Sequence, residues 1–380
     1  MKIKILSIVF IIMFFPVILN GCKKNKAEIS EPVQTAKTSL GIKYAKNFSI
    51  VYMENDIKLV TDSAGSQMLL VPKGTEVPSG YNNAVLIETP IENSMYTSTT
   101  FIGFLSALED DSLYDSITIV CTPLENWTNP KIIERFKEGE THFIDHGQTS
   151  VGSIEEIIKI NPGIVFIGND DVQDMQLRNL LDEVSIKQAT ILEWTEEGPN
   201  AYLEWIKFFA AFFNIDREAD RIFEAKLAEL DELYKLADNA AEKPSVAYAV
   251  IWRGAVYTQP GNSAFARQIE RAGGTYALKE LDGTGGITIS MEEFFNRCRN
   301  ADIVIYGSLP QYLPDKSFLL ETEPLMAEFS AFRNDRIYIF DQGYFMNNIK
   351  VIERFTDLIS IIQPSLFPGR ELVMYQKLFP

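Results

Sequence analysis

Residues that could perform chemistry are few in this chain, which narrows the possible functions. The 380 residues include only two histidines, His142 and His146, four positions apart. Two histidines cannot supply a three-histidine metal centre, and the run 143–147 is typical of a strand entering a loop, not of a helix with both rings on one face. No Gly-x-Ser-x-Gly nucleophile motif is present. The sequence therefore predicts no catalytic residue, no resident metal and no cofactor.

Aromatic and cationic residues instead follow several of the predicted strands. Ligands of open α/β sheets bind at the carboxyl ends of the strands, so these residues are expected to line a cleft and to suit a large, flat or metal-chelated ligand. Trp127 and Trp252 either line the cleft or pack in a lobe core, and His146 is either a chelate contact or a hydrogen-bonded loop residue. The expected ligand-binding residues are Tyr96, Trp127, His146, Trp252, Arg253 and Tyr344.

The N-terminal segment has the features of an export signal. Lys2 and Lys4 precede an apolar run that Pro16 interrupts, and the run is short for a membrane-spanning helix. Leu19-Asn20-Gly21-Cys22, followed by a lysine-rich stretch, resembles the bacterial lipobox, in which the cysteine is lipidated and becomes the N-terminus. We therefore expect a signal peptide at 1–21 and lipidation at Cys22. Residues 22–45 are expected to form a flexible tether, and an N-terminal membrane anchor is the alternative.

The pattern of apolar residues in the remaining chain predicts two similar halves around a long helix. Alternating strands at 48–52 and 57–60 predict a hairpin, with residues 69–71 as a possible extension. Short apolar strands then alternate with helices, with strands expected at 84–87, 117–121, 164–167 and 189–192 and helices at 98–108, 130–137 and 153–160. Such alternation is typical of a parallel α/β layer. Cys121 and Cys298 are expected to be buried free thiols.

A long helical region separates the two halves. Residues 202–213 are apolar nearly all round, and an apolar stripe follows on a helix predicted for 216–239, which Asp216 is expected to cap. Such a helix is about 36 Å long, enough to reach across two lobes. Beyond Pro244, strands are expected at 246–252, 303–306 and 337–340 and helices at 264–272 and 348–362. The predicted domains are 46–198, 199–241 and 242–380.

An internal repeat marks corresponding positions in the two halves. Ser153-Ile154-Glu155-Glu156 and Ser290-Met291-Glu292-Glu293 each begin an apolar-faced helix that leads to a short strand and a glycine. A serine N-cap followed by acidic residues is common at helix starts, which alone explains the acids. The complete order of cap, helix, strand and glycine indicates two lobes of one design.

At this point the chain resembles the class III, or cluster A, substrate-binding proteins of ABC importers. The resemblance covers about residues 84–380, and its most specific part is Ser153 to Val165, where Gly163 replaces the usual aspartate. It implies a class III periplasmic-binding-protein fold: α/β, with two Rossmann-like lobes joined by a long backbone helix. It also implies that Glu155 and Glu292, or Glu293 beside the latter, dock to arginines of a permease dimer.

The resulting expectation is a monomeric, extracytoplasmic, lipid-anchored receptor that delivers a metal complex to an ABC permease. A ferric siderophore is the first choice of ligand, and haem or a corrinoid is the alternative. A formal net charge of −17 would repel phosphate backbones, so nucleic acid is not expected as a partner. An extracytoplasmic enzyme and a sensory or adhesive module are the other functions that this fold allows.

Overall fold

The computed structural model describes residues 40–124, 127, 129–145, 151–168, 172–283, 286–344 and 350–379. The first sheet in chain order has four strands. Its strands are β1 (Ser49–Tyr52), β2 (Lys58–Thr61), β3 (Gln67–Pro72) and β4 (Val85–Thr89). β1, β2 and β3 are antiparallel, as the predicted hairpin and its extension require. β4 pairs with β3 in parallel, so the assignment of residues 84–87 to the α/β layer is wrong.

A parallel five-stranded sheet is the centre of the first lobe. Its spatial order is β7-β6-β5-β8-β9, so the direction of winding reverses between β5 and β8, as in doubly wound folds. The elements in chain order are β5 (Ser94–Tyr96), α1 (Thr99–Ser106), β6 (Ile117–Val120), α2 (Pro130–Glu138), β7 (His142–Phe143), α3 (Val151–Ile160), β8 (Val165–Ile167), α4 (Val172–Glu183) and β9 (Gln188–Thr190).

Two helices connect the lobes, as the sequence predicts. α5 (Pro199–Ala211) is buried nearly all round, and α6 (Asp216–Asp238) buries one stripe. α6 packs against α5 on one side and, through Tyr234, against Phe355 of the second lobe, with ring centroids 5.0 Å apart. Asp216 does not cap α6 as expected. It is the first helical residue, and its carboxylate lies 2.9 Å from the buried Lys58 ammonium.

The second lobe contains a seven-stranded mixed sheet. Its parallel strands have the order β12-β10-β14-β15, so the winding reverses between β10 and β14. β11, β13 and β16 add antiparallel edges. The elements are β10 (Ser245–Trp252), β11 (Ala255–Thr258), α7 (Ala264–Arg271), β12 (Thr275–Tyr276), β13 (Ile287–Ser290), α8 (Met291–Cys298), β14 (Ile303–Tyr306), α9 (Lys316–Thr322), α10 (Ser330–Arg333), β15 (Ile337–Phe340), α11 (Val351–Ile362) and β16 (Tyr375–Lys377).

The main core is continuous through both lobes. Rings of α5 form its centre: Phe209 stacks on Phe104 of α1, and Phe212 meets Phe166 of β8 edge-on. The same cluster of buried side chains continues through α6 into β10, β14 and α11. Cys121 and Cys298 are buried free thiols, as predicted. Within the described ranges, no helix combines the length and the apolarity that crossing a membrane requires.

Two buried carboxylates hold the segment that precedes β1. We call residues 41–47 the N-terminal strap. Glu204 of α5 accepts backbone N–H bonds from Lys43, Tyr44 and Ala45 at 2.7–2.9 Å. Glu196 accepts bonds from the next two residues and from the Trp205 indole N–H. The strap is therefore part of the fold, and it overlaps the tether expected at 22–45.

Replacing Glu204 by glutamine is expected to lower the free energy of unfolding by about 3 kcal/mol. The amide would point a donor at backbone N–H groups that need an acceptor, and it would remove the anion beside the buried Lys207 ammonium. Chemical denaturation measures the change. Glu224→Gln is the matched control, because Glu224 pairs with Lys43 at the surface and should contribute less than about 1 kcal/mol. Equal losses in the two variants would contradict this role of Glu204.

Candidate functional site

The C-terminal end of β10 projects beyond the parallel sheet of the second lobe. Parallel pairing with β14 ends at Ala249 and Tyr306, and the last three residues of β10 pair only with β11. Arg253 and Gly254 form the turn, with φ values of 53° and 76°. The tip of this hairpin thus lies at the winding reversal, where open α/β sheets bind their ligands.

An aromatic ring and a cation are exposed on this hairpin. The Trp252 side chain is 63% exposed, and the Arg253 guanidinium lies 5.5 Å from its ring centroid. Tyr257 on β11 is also exposed. An accessible indole beside a cation can stack on a flat ligand and pair with an anionic group. Trp252 and Arg253 thus lie at the exposed tip of the hairpin, and their contact with a ligand stays a prediction.

Hydroxyl groups and one buried carboxylate occupy the corresponding edge of the first lobe. Ser98 caps α1 just after β5, and the Thr100 hydroxyl donates to Glu193 at 3.1 Å. Glu193 follows β9 and is 3% exposed. Sequence reasoning missed this group, although a serine and two threonines before an apolar run are a recognisable cap signal.

Arg354 of α11 connects the second lobe to α5. Its guanidinium lies 5.5 Å from the ring centroid of Tyr344, in the same lobe, and 5.5 Å from that of Tyr202 on α5. Tyr202 in turn packs against Phe104 of α1, with ring centroids 5.2 Å apart. The sequence reasoning did not single out Arg354, because a lone arginine on a helix carries no local signal.

Arg354 stays charged despite its surroundings. Burial lowers its pKa, but its interactions with the hydroxyls of Tyr344, Tyr202 and Tyr375 raise the pKa above the ordinary value of an arginine. Burial, and next the proximity of Tyr344, also raises the pKa of Tyr375 well above its usual range. A permanent cation among aromatic rings is suited to an anionic ligand group.

The other residues that were predicted to contact the ligand differ in burial and position. Tyr96 is a wrong assignment, because it belongs to the central strand β5, is fully buried and stacks on Phe166. Trp127 packs in the first-lobe core and donates its indole N–H to the Thr122 carbonyl at 2.9 Å, which decides between its two alternatives. Tyr344 is mostly buried against Phe340 but reaches Arg354. His146 lies outside the described residues, as does Cys22.

The two predicted docking acids are exposed, but their helices begin differently. Ser290 caps α8 as expected, whereas α3 begins at Val151, so Ser153 lies inside the helix and is not its cap. Glu293 pairs with Arg297 at 3.0 Å. Within the described ranges, no cation lies within 4.0 Å of Glu155 or Glu292. Glu292, unlike Glu293, therefore remains available for a partner.

Metal ligands do not converge anywhere in the described part of the chain. No group of three histidine, cysteine, aspartate or glutamate side chains there has the geometry to hold a metal ion. The groups that do come together there are the Arg354 guanidinium and the rings of Tyr202 and Tyr344. Such groups recognise a ligand through stacking and charge and not through direct metal coordination.

Comparison with known proteins decides the family. The family model described as "Periplasmic binding protein" matches residues 124–344, more than half of the chain. The chain belongs to the periplasmic binding protein family. Among curated proteins, an uncharacterized lipoprotein of Methanocaldococcus jannaschii is 27% identical over 405 aligned residues, which cover 98% of this chain and 96% of that protein.

Solved structures of periplasmic binding proteins share the fold. A periplasmic haem-binding protein from Pseudomonas aeruginosa has a TM-score of 0.58 at 14% identity, covering 75% of this chain and 97% of that one. A possible iron-binding protein from Staphylococcus epidermidis has a TM-score of 0.55 at 16% identity, covering 72% and 100%. The predicted fold class, two α/β lobes of the class III type, is confirmed.

The tryptophans of this binding protein should separate clearly in acrylamide quenching. Trp252 and Trp194 are 63% and 53% exposed, whereas Trp205 and Trp127 are 0% and 8% exposed. Trp252→Phe should remove about half of the quencher-accessible emission, and Trp194→Phe, the matched control, the other half. An unchanged accessible fraction in Trp252→Phe would mean that the hairpin tip is covered in solution.

Proposed function

We propose that this periplasmic binding protein is a lipid-anchored, extracytoplasmic receptor of an ABC importer that captures an anionic metal complex, with a ferric siderophore as first choice. Haem or a corrinoid is the alternative ligand of the same site. The observation that carries the proposal is the convergence of Arg354, Tyr202 and Tyr344 between the lobes of a fold whose solved relatives include haem-binding and possible iron-binding proteins. No reaction is required of the protein.

The charge distribution supports an anionic ligand. The chain carries 52 acidic and 35 basic residues, so an anion approaching most of the surface is repelled. Arg253 and Arg354 are local exceptions near the carboxyl edges of the second-lobe sheet. Arginine suits carboxylate or chelate oxygens because its planar guanidinium donates several hydrogen bonds in a fixed geometry.

The anchoring part of the proposal rests on the N-terminal sequence and on relatives. The Leu19–Cys22 motif places a lipidated cysteine ahead of the fold, and the curated relative over nearly the whole length is named a lipoprotein. The strap begins at residue 41, so 18 residues separate Cys22 from it. If these residues form the tether that the sequence predicts, its end-to-end distance is roughly 25 Å. The receptor would thus stay close to the membrane and its permease.

Ligand capture is tested by titrating the purified protein with three metal complexes. Ferric enterobactin, which is anionic, haemin and cyanocobalamin are added to Trp194→Phe protein, in which Trp252 is the exposed fluorophore. One complex should quench Trp252 with a dissociation constant in the micromolar range or below, equivalent to about −8 kcal/mol or stronger. If calorimetry and fluorescence detect binding of none of the three, the proposal fails.

Arg354 is expected to determine affinity for the complex that binds. Arg354→Gln should weaken binding at least about tenfold, because it removes the charge that would pair with the ligand. Arg354→Lys should recover part of the loss. Arg299→Gln is the control. The Arg299 guanidinium also lies over an aromatic ring, that of Phe295, but at the C-terminal end of α8. Equal affinities in Arg354→Gln and wild type would exclude Arg354 from the site.

The docking acids should affect transport without affecting capture. Glu155→Ala and Glu292→Ala together should abolish ligand uptake by cells that depend on this receptor, while the dissociation constant of the free protein stays within about twofold. Glu156→Ala with Glu293→Ala is the matched control, since it removes the same number of acids from the same helices. A larger loss of uptake in the control would indicate that Glu156 and Glu293 are the docking residues.

A further inference from the structure

A second crevice lies between the lobes, beside the long helix. Its volume is about 570 Å³, within the range of small-molecule pockets. The strap and the first turn of α5 form one wall, and α7 of the second lobe forms the other. The rings of Tyr44 and Tyr234 and the ring of Pro199 provide apolar surface. The crevice shares no lining residue with the Trp252, Arg253, Tyr344 and Arg354 site.

The charges around this crevice are mostly positive, in contrast to the rest of the chain. Lys43 and Lys46 come from the strap, and Arg267 and Arg271 from α7. Glu197 and Glu270 are the acids of the lining. Lys46 pairs with Glu197 at 2.8 Å, and Lys43 pairs with Glu224 outside the lining. Arg267 and Arg271 are therefore the cations that make the crevice an attractive place for an anion in a protein of net charge −17.

Among the described residues, the two arginines form contacts other than salt bridges. The Arg267 guanidinium donates to two backbone carbonyls, Glu197 at 3.0 Å and Asn262 at 2.6 Å. The Arg271 guanidinium lies 4.2 Å from the ring centroid of Tyr234. In the described ranges, no carboxylate lies within 4.0 Å of either side chain. Because they stand four positions apart on α7, their side chains share one helix face and can converge on one anionic group.

We infer that this crevice binds a small organic anion, with its carboxylate or phosphate group on Arg267 and Arg271 and its apolar part against Tyr44 and Tyr234. The cavity volume favours a soluble metabolite, since a flat membrane surface could not enter between α7 and the strap. The site is separate from the metal-complex site and does not depend on it. A ligand there would contact both lobes, because Arg267 already donates across them to the Glu197 carbonyl.

Calorimetry with defined anions tests the inference. Benzoate, phenyl phosphate and citrate are titrated into the purified wild-type protein, with benzamide as the uncharged control. At least one of the anions should bind and benzamide should not. The double variant Arg267→Gln, Arg271→Gln should bind that anion at least about tenfold more weakly. No binding by any anion, or equal binding by benzamide, would overturn the inference.

Matched variants separate this site from the other one. Arg299→Gln and Arg354→Gln should leave anion binding at the crevice unchanged, whatever happens to metal-complex binding. Tyr44→Ala should weaken the aromatic anions more than citrate. If the double variant does not fold, Arg271→Glu is used, since Arg271 is exposed. The inference would also be overturned if the protein bound to phosphatidylglycerol vesicles but bound none of the soluble anions. That result would favour a membrane surface.

Discussion

The packing of α6 between the two lobes is the constraint on which the rest of the structure depends. Its buried stripe, which includes Phe223, Leu230 and Tyr234, joins the aromatic cluster of α5 to α11. A continuous helix of 23 residues cannot bend without breaking backbone hydrogen bonds or leaving apolar surface exposed. The lobes are therefore held at a nearly fixed separation. A fixed separation of this kind lowers the cost of ordering any site that lies between the lobes.

The buried carboxylates Glu196 and Glu204 extend this rigid centre to the chain that comes before it. Each accepts several backbone N–H groups, so the negative charges are compensated by peptide dipoles and, for Glu204, by Lys207. As a result the strap is fixed against α5 and α6, between the lobes and not at the far end of one of them.

Long periodic elements were predictable from the sequence, and short ones were not. The stripe of α6, the apolar helix α5 and strands such as β14 follow patterns that only one structure satisfies. β5 has three residues, too few for any period, yet it is the central strand of its sheet. Missing it moved residues 84–87 into the wrong sheet and turned the buried Tyr96 into an expected ligand contact. α4 was missed because only Asp174, Leu177 and Leu181 of its 12 residues are buried.

In the candidate site, residues next to a predictable strand could be found from the sequence, whereas residues from distant elements could not. Trp252 and Arg253 could be placed from the sequence because an aromatic residue and a cation directly follow a strong strand. Arg354, Tyr202 and Tyr344 come from α11, α5 and the segment after β15, and only the folded chain brings them together. Their arrangement also explains the use of arginine there. A lysine in the same place would be a compact, strongly hydrated charge that loses its proton more readily on burial, whereas a guanidinium keeps its charge and lies flat against phenol rings. Arg354 therefore keeps a positive charge between the lobes of an acidic protein.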